Sequence, residues 1–179
     1  MSDHYATVLR TRLEPEQLAK LERIDDPRVH QFVAKYLEHC DPATVFVATG
    51  SPEDIDYIRR SAITRGEEQP LAIPGHTYHF DGPTDQARDR KNTRLLVPAG
   101  VNLGPNYDTL ERETALPEVM DRIRGIMRGG TMYVRFYSLG PVGSEFSNLA
   151  VQLTDSAYVS HNADLLYRQA SSIIVLAEP

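Results

Sequence analysis

A chain of 179 residues, 41% hydrophobic and 25% charged, has the balance of one ordinary globular domain or of a piece of a larger one. Its formal net charge of −6 excludes a general nucleic-acid binder, which needs a basic face to neutralise phosphates. The single cysteine, Cys40, excludes an internal disulfide, and no run approaches the roughly 18 apolar residues that a membrane span needs.

Leu18, Leu21 and Ile24 recur at helical spacing over residues 15–25. Asp26-Pro27 then has the form of an N-cap followed by proline at the first helical position, and Val29, Phe32, Val33, Tyr36 and Leu37 make an apolar stripe on the helix that follows. Thr44-Val45-Phe46-Val47-Ala48 is β-branched and aromatic, which predicts a buried strand ended by Gly50. Ser51-Pro52-Glu53-Asp54 predicts a capped helix whose apolar face runs through Ile55, Ile58, Ala62 and Ile63. Prolines and glycines break up residues 64–115, leaving short strands near 76–80 and 94–98 between long loops. Leu116, Val119, Met120, Ile123 and Met127 predict another helix, closed by Gly129-Gly130. Strands follow near 131–138 and 147–154, joined by the turn Leu139-Gly140-Pro141-Val142-Gly143, then a helix over 156–168 and an apolar run at Ile173-Ile174-Val175-Leu176. Strand–turn–helix order predicts an α/β (mixed α+β) fold, a mixed sheet flanked by helices.

Five constellations could carry chemistry. No GxxxxGK[ST] phosphate loop occurs, and Gly140-Pro141-Val142-Gly143-Ser144 has glycines without a lysine, so it is better taken as a tight connection between strands. His76, His79 and Asp81 are competent metal ligands, yet on a strand positions 76 and 79 face opposite sides. His4, His30, His39 and His161 are scattered and are expected at the surface or partly buried. Cys40, at a helix end without a basic neighbour, is expected to be a structural thiol. The segment Thr84-Asp85-Gln86-Ala87-Arg88-Asp89-Arg90-Lys91-Asn92-Thr93-Arg94 is the best site candidate. Its arginines could grip a carboxylate or phosphate in a bidentate fork, or pair with their own aspartates as a solvated charged turn.

Two stretches carry a resemblance. TMYVRFYSLGPVGSEFSNLAVQLTDSAYV at 131–159 resembles a hallmark of the N-terminal part of GTP-dependent phosphoenolpyruvate carboxykinases, and HFDGPTDQARDRKNT at 79–93 is similar to that family's substrate-arginine segment, above all in archaeal members. NADLLYR at 162–168 resembles the archaeal form too, so the match covers about residues 76–168. The resemblance implies a single domain over 1–179, an N-terminal carboxykinase-like fragment incomplete at its C-terminus, without the nucleotide-binding domain. It implies that Arg88 binds the anionic groups of oxaloacetate or phosphoenolpyruvate, with Asp85 and Thr93 shaping the loop and Gly140, Pro141 and Asp155 fixing turns. Catalytic, metal and nucleotide residues are expected outside this fragment, so GTP or GDP and Mn2+ (or Mg2+) would serve the complete gluconeogenic enzyme, a cytoplasmic lyase and decarboxylase. Alone, the chain is expected to be inactive. The alternative is a stand-alone, non-catalytic anion-binding or interaction module derived from the fold. The implied partners are a small dianionic substrate and the missing C-terminal half, with no nucleic acid and no membrane. Gly130, where the family usually carries a basic residue, and the closing run RQASSIIVLAEP depart from the pattern.

Overall fold

A computed structural model describes residues 3–82 and 93–169. The first three helices are α1 (Asp3–Arg12), α2 (Pro15–Glu22) and α3 (Pro27–Cys40). The Asp26 carboxylate accepts from the Arg28 N–H at 2.9 Å, and Pro27 opens α3, as the sequence predicts. Asp41, in the left-handed region at φ 51°, ends it. Then come β1 (Thr44–Val47), α4 (Pro52–Thr64), capped by Ser51, and the short strands β2 (Gln69–Pro70), β3 (Thr77–Tyr78), β4 (Leu95–Val97) and β5 (Thr109–Glu111). The last elements are α5 (Arg112–Arg122), β6 (Thr131–Leu139), β7 (Asn148–Thr154), α6 (Ala157–Leu166) and β8 (Arg168–Gln169).

The fold is mixed α/β, with β6 at its centre. β1 runs parallel to the first half of β6, Thr44 opposite Thr131, while β7 pairs antiparallel along its other edge from Tyr133–Thr154 to Leu139–Asn148. β8 pairs antiparallel with β6 at Tyr137 and Ser138, past the end of β1. β2 and β3 form an antiparallel hairpin, and β4 and β5 a parallel ribbon. Alternation along β6 explains the layers: Met132, Val134 and Phe136 pack with Val8, Leu9, Leu21, Val33 and Leu37 from α1, α2 and α3. Tyr133 faces the other way, against Ile58 and Ala62 of α4 and Ala157 of α6. Each fully buried apolar side chain contributes about 1.5–3 kcal/mol, so this doubly covered strand holds the fold together.

Three helices depart from the sequence expectation. Helix α5 stops at Arg122, and Ile123–Met127 turn instead of continuing it, because Gly125 (φ 64°) donates its N–H to the His39 carbonyl at 2.7 Å and Met127 to that of Cys40 at 3.0 Å. These bonds satisfy the open C-terminal carbonyls of α3, a tertiary demand that outweighs the local apolar period. The helix expected over 156–168 ends at Leu166, since Arg168 and Gln169 pair with β6 as β8. Helix α1 has no clear sequence signature, and forms because Val8 and Leu9 reach the core. The run at 173–176 lies outside the described residues.

Candidate functional site

The site region is built where the β6–β7 unit meets α6. Gly140 ends β6 at φ 95°, and a Cβ there would lie 2.6 Å from the Phe146 carbonyl oxygen, so only glycine closes this turn without strain. Ser144 and Ser147 hydroxyls donate to the Pro141 carbonyl and hold the loop shut. After β7, Ser156 caps α6 by accepting from the Val159 N–H at 3.1 Å; Asp155, just before it, accepts at its carbonyl from Arg65. The Glu67 carboxylate accepts from both the Ser156 hydroxyl and the Tyr158 N–H at 2.7 Å, placing negative charge at the positive end of the helix.

The chain entering the arginine-rich segment is fastened to this same helix end. His79 stacks on Tyr158 with ring centroids 3.8 Å apart, and its Nδ1 donates to the Glu67 carbonyl at 2.6 Å. Residues 79–82 thus leave α6 in a fixed direction. Arg88, expected from the resemblance to bind substrate, and Asp85 beside it in the motif lie outside the described residues.

Beneath α6 lies a polar cluster in an otherwise apolar layer. Arg135 on β6 is fully buried; it donates from Nη1 to the Ser160 carbonyl and hydroxyl at 3.3 and 3.0 Å and from Nη2 to Asp164. Its guanidinium sits 5.2 Å from the Tyr137 ring, and the Tyr137 hydroxyl donates to the Ser160 carbonyl. Burial drives the Tyr137 pKa far above its ordinary value, so this phenol stays protonated. Gln169 also donates to Asp164, which ties β8 to the cluster. With no exposed surface, Arg135 orients α6 and cannot itself touch a substrate.

A second chain of contacts crosses from α6 to α4. The Arg59 Nε–H can only donate, and it meets His161 Nε2 at 3.0 Å; the imidazole proton is therefore on Nδ1, which donates to Glu68 at 2.7 Å. His161 is 9% exposed and Glu68 3%, so His161 is buried rather than at the surface or partly buried as expected. Sequence inspection also missed Arg135, Glu68 and Asp164. The available signal was an arginine inside the apolar run Met132–Tyr137, since a charge there needs a buried partner.

Of the other candidate residues, His79 and Asp81 lie together, with His79 Nε2 3.3 Å from the Asp81 carboxylate, and His76 stands apart. His76 lies beyond one end of β3 with Nδ1 donating to the Pro74 carbonyl, while His79 is held at the other end, and among the described residues no three His, Cys, Asp or Glu side chains converge on a common point. Burial, with Asp155 nearby, pushes the Cys40 thiol up, as befits a packed and unreactive cysteine. No helix among the described residues is long and apolar enough to cross a membrane.

Comparison with known proteins decides the lineage. Residues 31–178 match the phosphoenolpyruvate carboxykinase N-terminal domain family. The chain belongs to that family. Phosphoenolpyruvate carboxykinase (GTP) of Thermococcus sibiricus is 50% identical over 161 residues, covering 90% of this chain and 26% of the relative. The Pyrococcus horikoshii protein of the same name is 49% identical over the same shares. That of Sulfurisphaera tokodaii is 42% identical over 160 residues, covering 89% of this chain and 26% of the relative. The chain thus spans about a quarter of the length of the curated carboxykinases it matches.

Proposed function

We propose that residues 1–179 form one substrate-binding domain of a GTP-dependent phosphoenolpyruvate carboxykinase, in which Arg88 grips the carboxylate or phosphate of the substrate. The observation that carries this reading is the identity of 50% along 90% of the chain, together with a family match whose span contains both the 79–93 and the 131–159 stretches. The reaction is oxaloacetate plus GTP to phosphoenolpyruvate, GDP and CO2, a cytoplasmic lyase step of gluconeogenesis. The bond to the departing carboxylate breaks and leaves its electron pair on an enolate. The enolate oxygen then forms a bond to the γ-phosphorus, and GDP leaves.

The chain's part in this is positioning. A guanidinium fork that holds the substrate's anionic end fixes where the enolate oxygen must develop. The hold of His79 on Tyr158, and the Arg135 cluster under α6, set the base from which the arginine segment departs. A bound Mn2+ or Mg2+ would neutralise charge on the enolate and phosphates. By the resemblance, the metal and GTP are assigned to the three-quarters of the relatives outside the matched span. By itself, then, the chain is inactive.

The test is a chimera in which residues 31–168 replace the matching span of the Thermococcus sibiricus enzyme. The chimera is expected to turn over, and Arg88→Ala within it to lower kcat/KM at least about 30-fold, the equivalent of roughly 2 kcal/mol for a lost charged contact. Near-native kcat/KM in the Arg88→Ala chimera refutes the assignment. A folded chimera that binds substrate but never turns over supports a non-catalytic module instead.

A further inference from the structure

A cleft of about 240 Å³ opens between α4 and the β2–β3 hairpin, and none of its chemistry is used by the reading above. Ile63, Leu71 and Pro74 give it an apolar wall, Arg59 and Arg60 a cationic one, and Thr77 a hydroxyl. Ile63 and Leu71 are 37% and 47% exposed, so the apolar wall has no protein cover among the described residues.

Arg59 is held for binding. Its Nε is pinned to His161, whose ring is fixed in turn by the buried Glu68, while among the described residues its two terminal nitrogens have no partner. The His161 ring accepts from Arg59 and stands between the guanidinium and Glu68. Glu68 does not line the cleft; its second carboxylate oxygen is buried without a partner among the described residues, and the residue borders the neighbouring cavity beside His79 and Tyr158. Arg60 is already matched, with Nε 2.9 Å from the Asp56 carboxylate, which also borders the cleft. The cleft therefore holds the Arg59 fork, the Arg60–Asp56 pair and the His76 imidazole beside an apolar wall.

The geometry points to a binding site for a small monocarboxylate with a short aliphatic body. The Arg59 fork takes the carboxylate, Thr77 donates to it, and Ile63, Leu71 and Pro74 cover the chain. The Arg59 cation favours a monoanion, because a second negative charge would lie against the Asp56 carboxylate on the same wall. This site rests on residues outside the arginine-rich segment and stands or falls apart from Arg88.

The experiment titrates the 15N-labelled 179-residue chain with butyrate, formate and inorganic phosphate, following amide shifts. Butyrate is expected to give saturable shifts confined to 59–63 and 71–77, with formate and phosphate each at least tenfold weaker. Arg59→Lys keeps the charge but loses the fork and the Nε contact, and is expected to weaken butyrate at least tenfold. Arg59 is exposed, so a native-like spectrum of this variant shows that the fold is intact. Arg88→Ala should leave the butyrate titration unchanged. Absence of saturable shifts at 59–63 and 71–77, unchanged affinity in Arg59→Lys, or phosphate shifting those same residues as tightly as butyrate would each overturn the proposal. The tautomer gives a second reading, independent of ligand: imidazole 15N shifts should place the His161 proton on Nδ1, and a proton on Nε2 contradicts the relay that holds Arg59.

Discussion

Removing the Asp164 carboxylate should destabilise the fold more than any other single change on α6. In Asp164→Ala the Arg135 guanidinium, with no exposed surface, keeps only its bonds to Ser160 and the face of Tyr137. Breaking a buried pair from one side costs about 3–5 kcal/mol, because a charge is left uncompensated in a medium that cannot solvate it. For a chain of this length 1 kcal/mol moves Tm by about 2–4 °C, so a fall of roughly 6–20 °C is expected. Arg135→Met should cost less, because the Asp164 side chain is 15% exposed and keeps the bond from Gln169, whereas Arg135 has no exposed surface. The double variant Arg135→Met/Asp164→Ala removes both charges and should recover much of the loss. Urea denaturation of the four proteins, followed by circular dichroism, gives the cycle. A loss below about 1 kcal/mol for Asp164→Ala, or strictly additive single effects, would refute the idea that this pair is energetically buried.

Three further outcomes follow from the same structure. Gly140→Ala would force a side chain into the left-handed region and place its Cβ 2.6 Å from the Phe146 oxygen; a loss of about 1–3 kcal/mol in urea denaturation is expected, while Gly100→Ala, with open space around it, should lose only the backbone part. Burial would raise the Asp54 pKa, but bonds from Thr49 and from Lys20 at 2.9 Å outweigh it and hold the carboxyl below its ordinary 3.8. Its contribution to stability is therefore complete above the unfolded value and is lost as pH falls through the folded one, so wild type should lose more stability than Asp54→Asn between pH 5 and pH 3, as urea midpoints at each pH will show. Tyr158→Ala removes the ring on which His79 stacks, and faster amide exchange at residues 79–82 is the expected result, with α3 exchange unchanged.

Much of the architecture was visible in local patterns. The caps at Asp26 and Ser51, the stripe of α3 and the strand at Thr44–Val47 each follow from side-chain chemistry within a few residues, and each appears where that chemistry puts it. The misplaced boundaries have tertiary causes: α5 yields to the open carbonyls of α3, and α6 yields to the pairing of Arg168 and Gln169 with β6. The site was visible unevenly. The arginine segment and the glycine turn announce themselves as motifs, whereas the Glu68–His161–Arg59 chain joins residues up to 102 positions apart and has no local pattern to betray it. Arg135 alone advertised a buried partner, and nothing nearby in the chain identified it as Asp164.

The central claim is that Arg88 takes the anionic end of a small substrate at the end of the segment anchored by His79. Phosphoenolpyruvate titrated into the 15N-labelled chain tests it most directly, with Arg88→Ala and Arg59→Lys beside wild type. Saturable shifts spreading from residues 79–82 and 93–94, at least tenfold weaker in Arg88→Ala and unaltered in Arg59→Lys, are the expected result. Titrations that coincide for wild type and Arg88→Ala would contradict it.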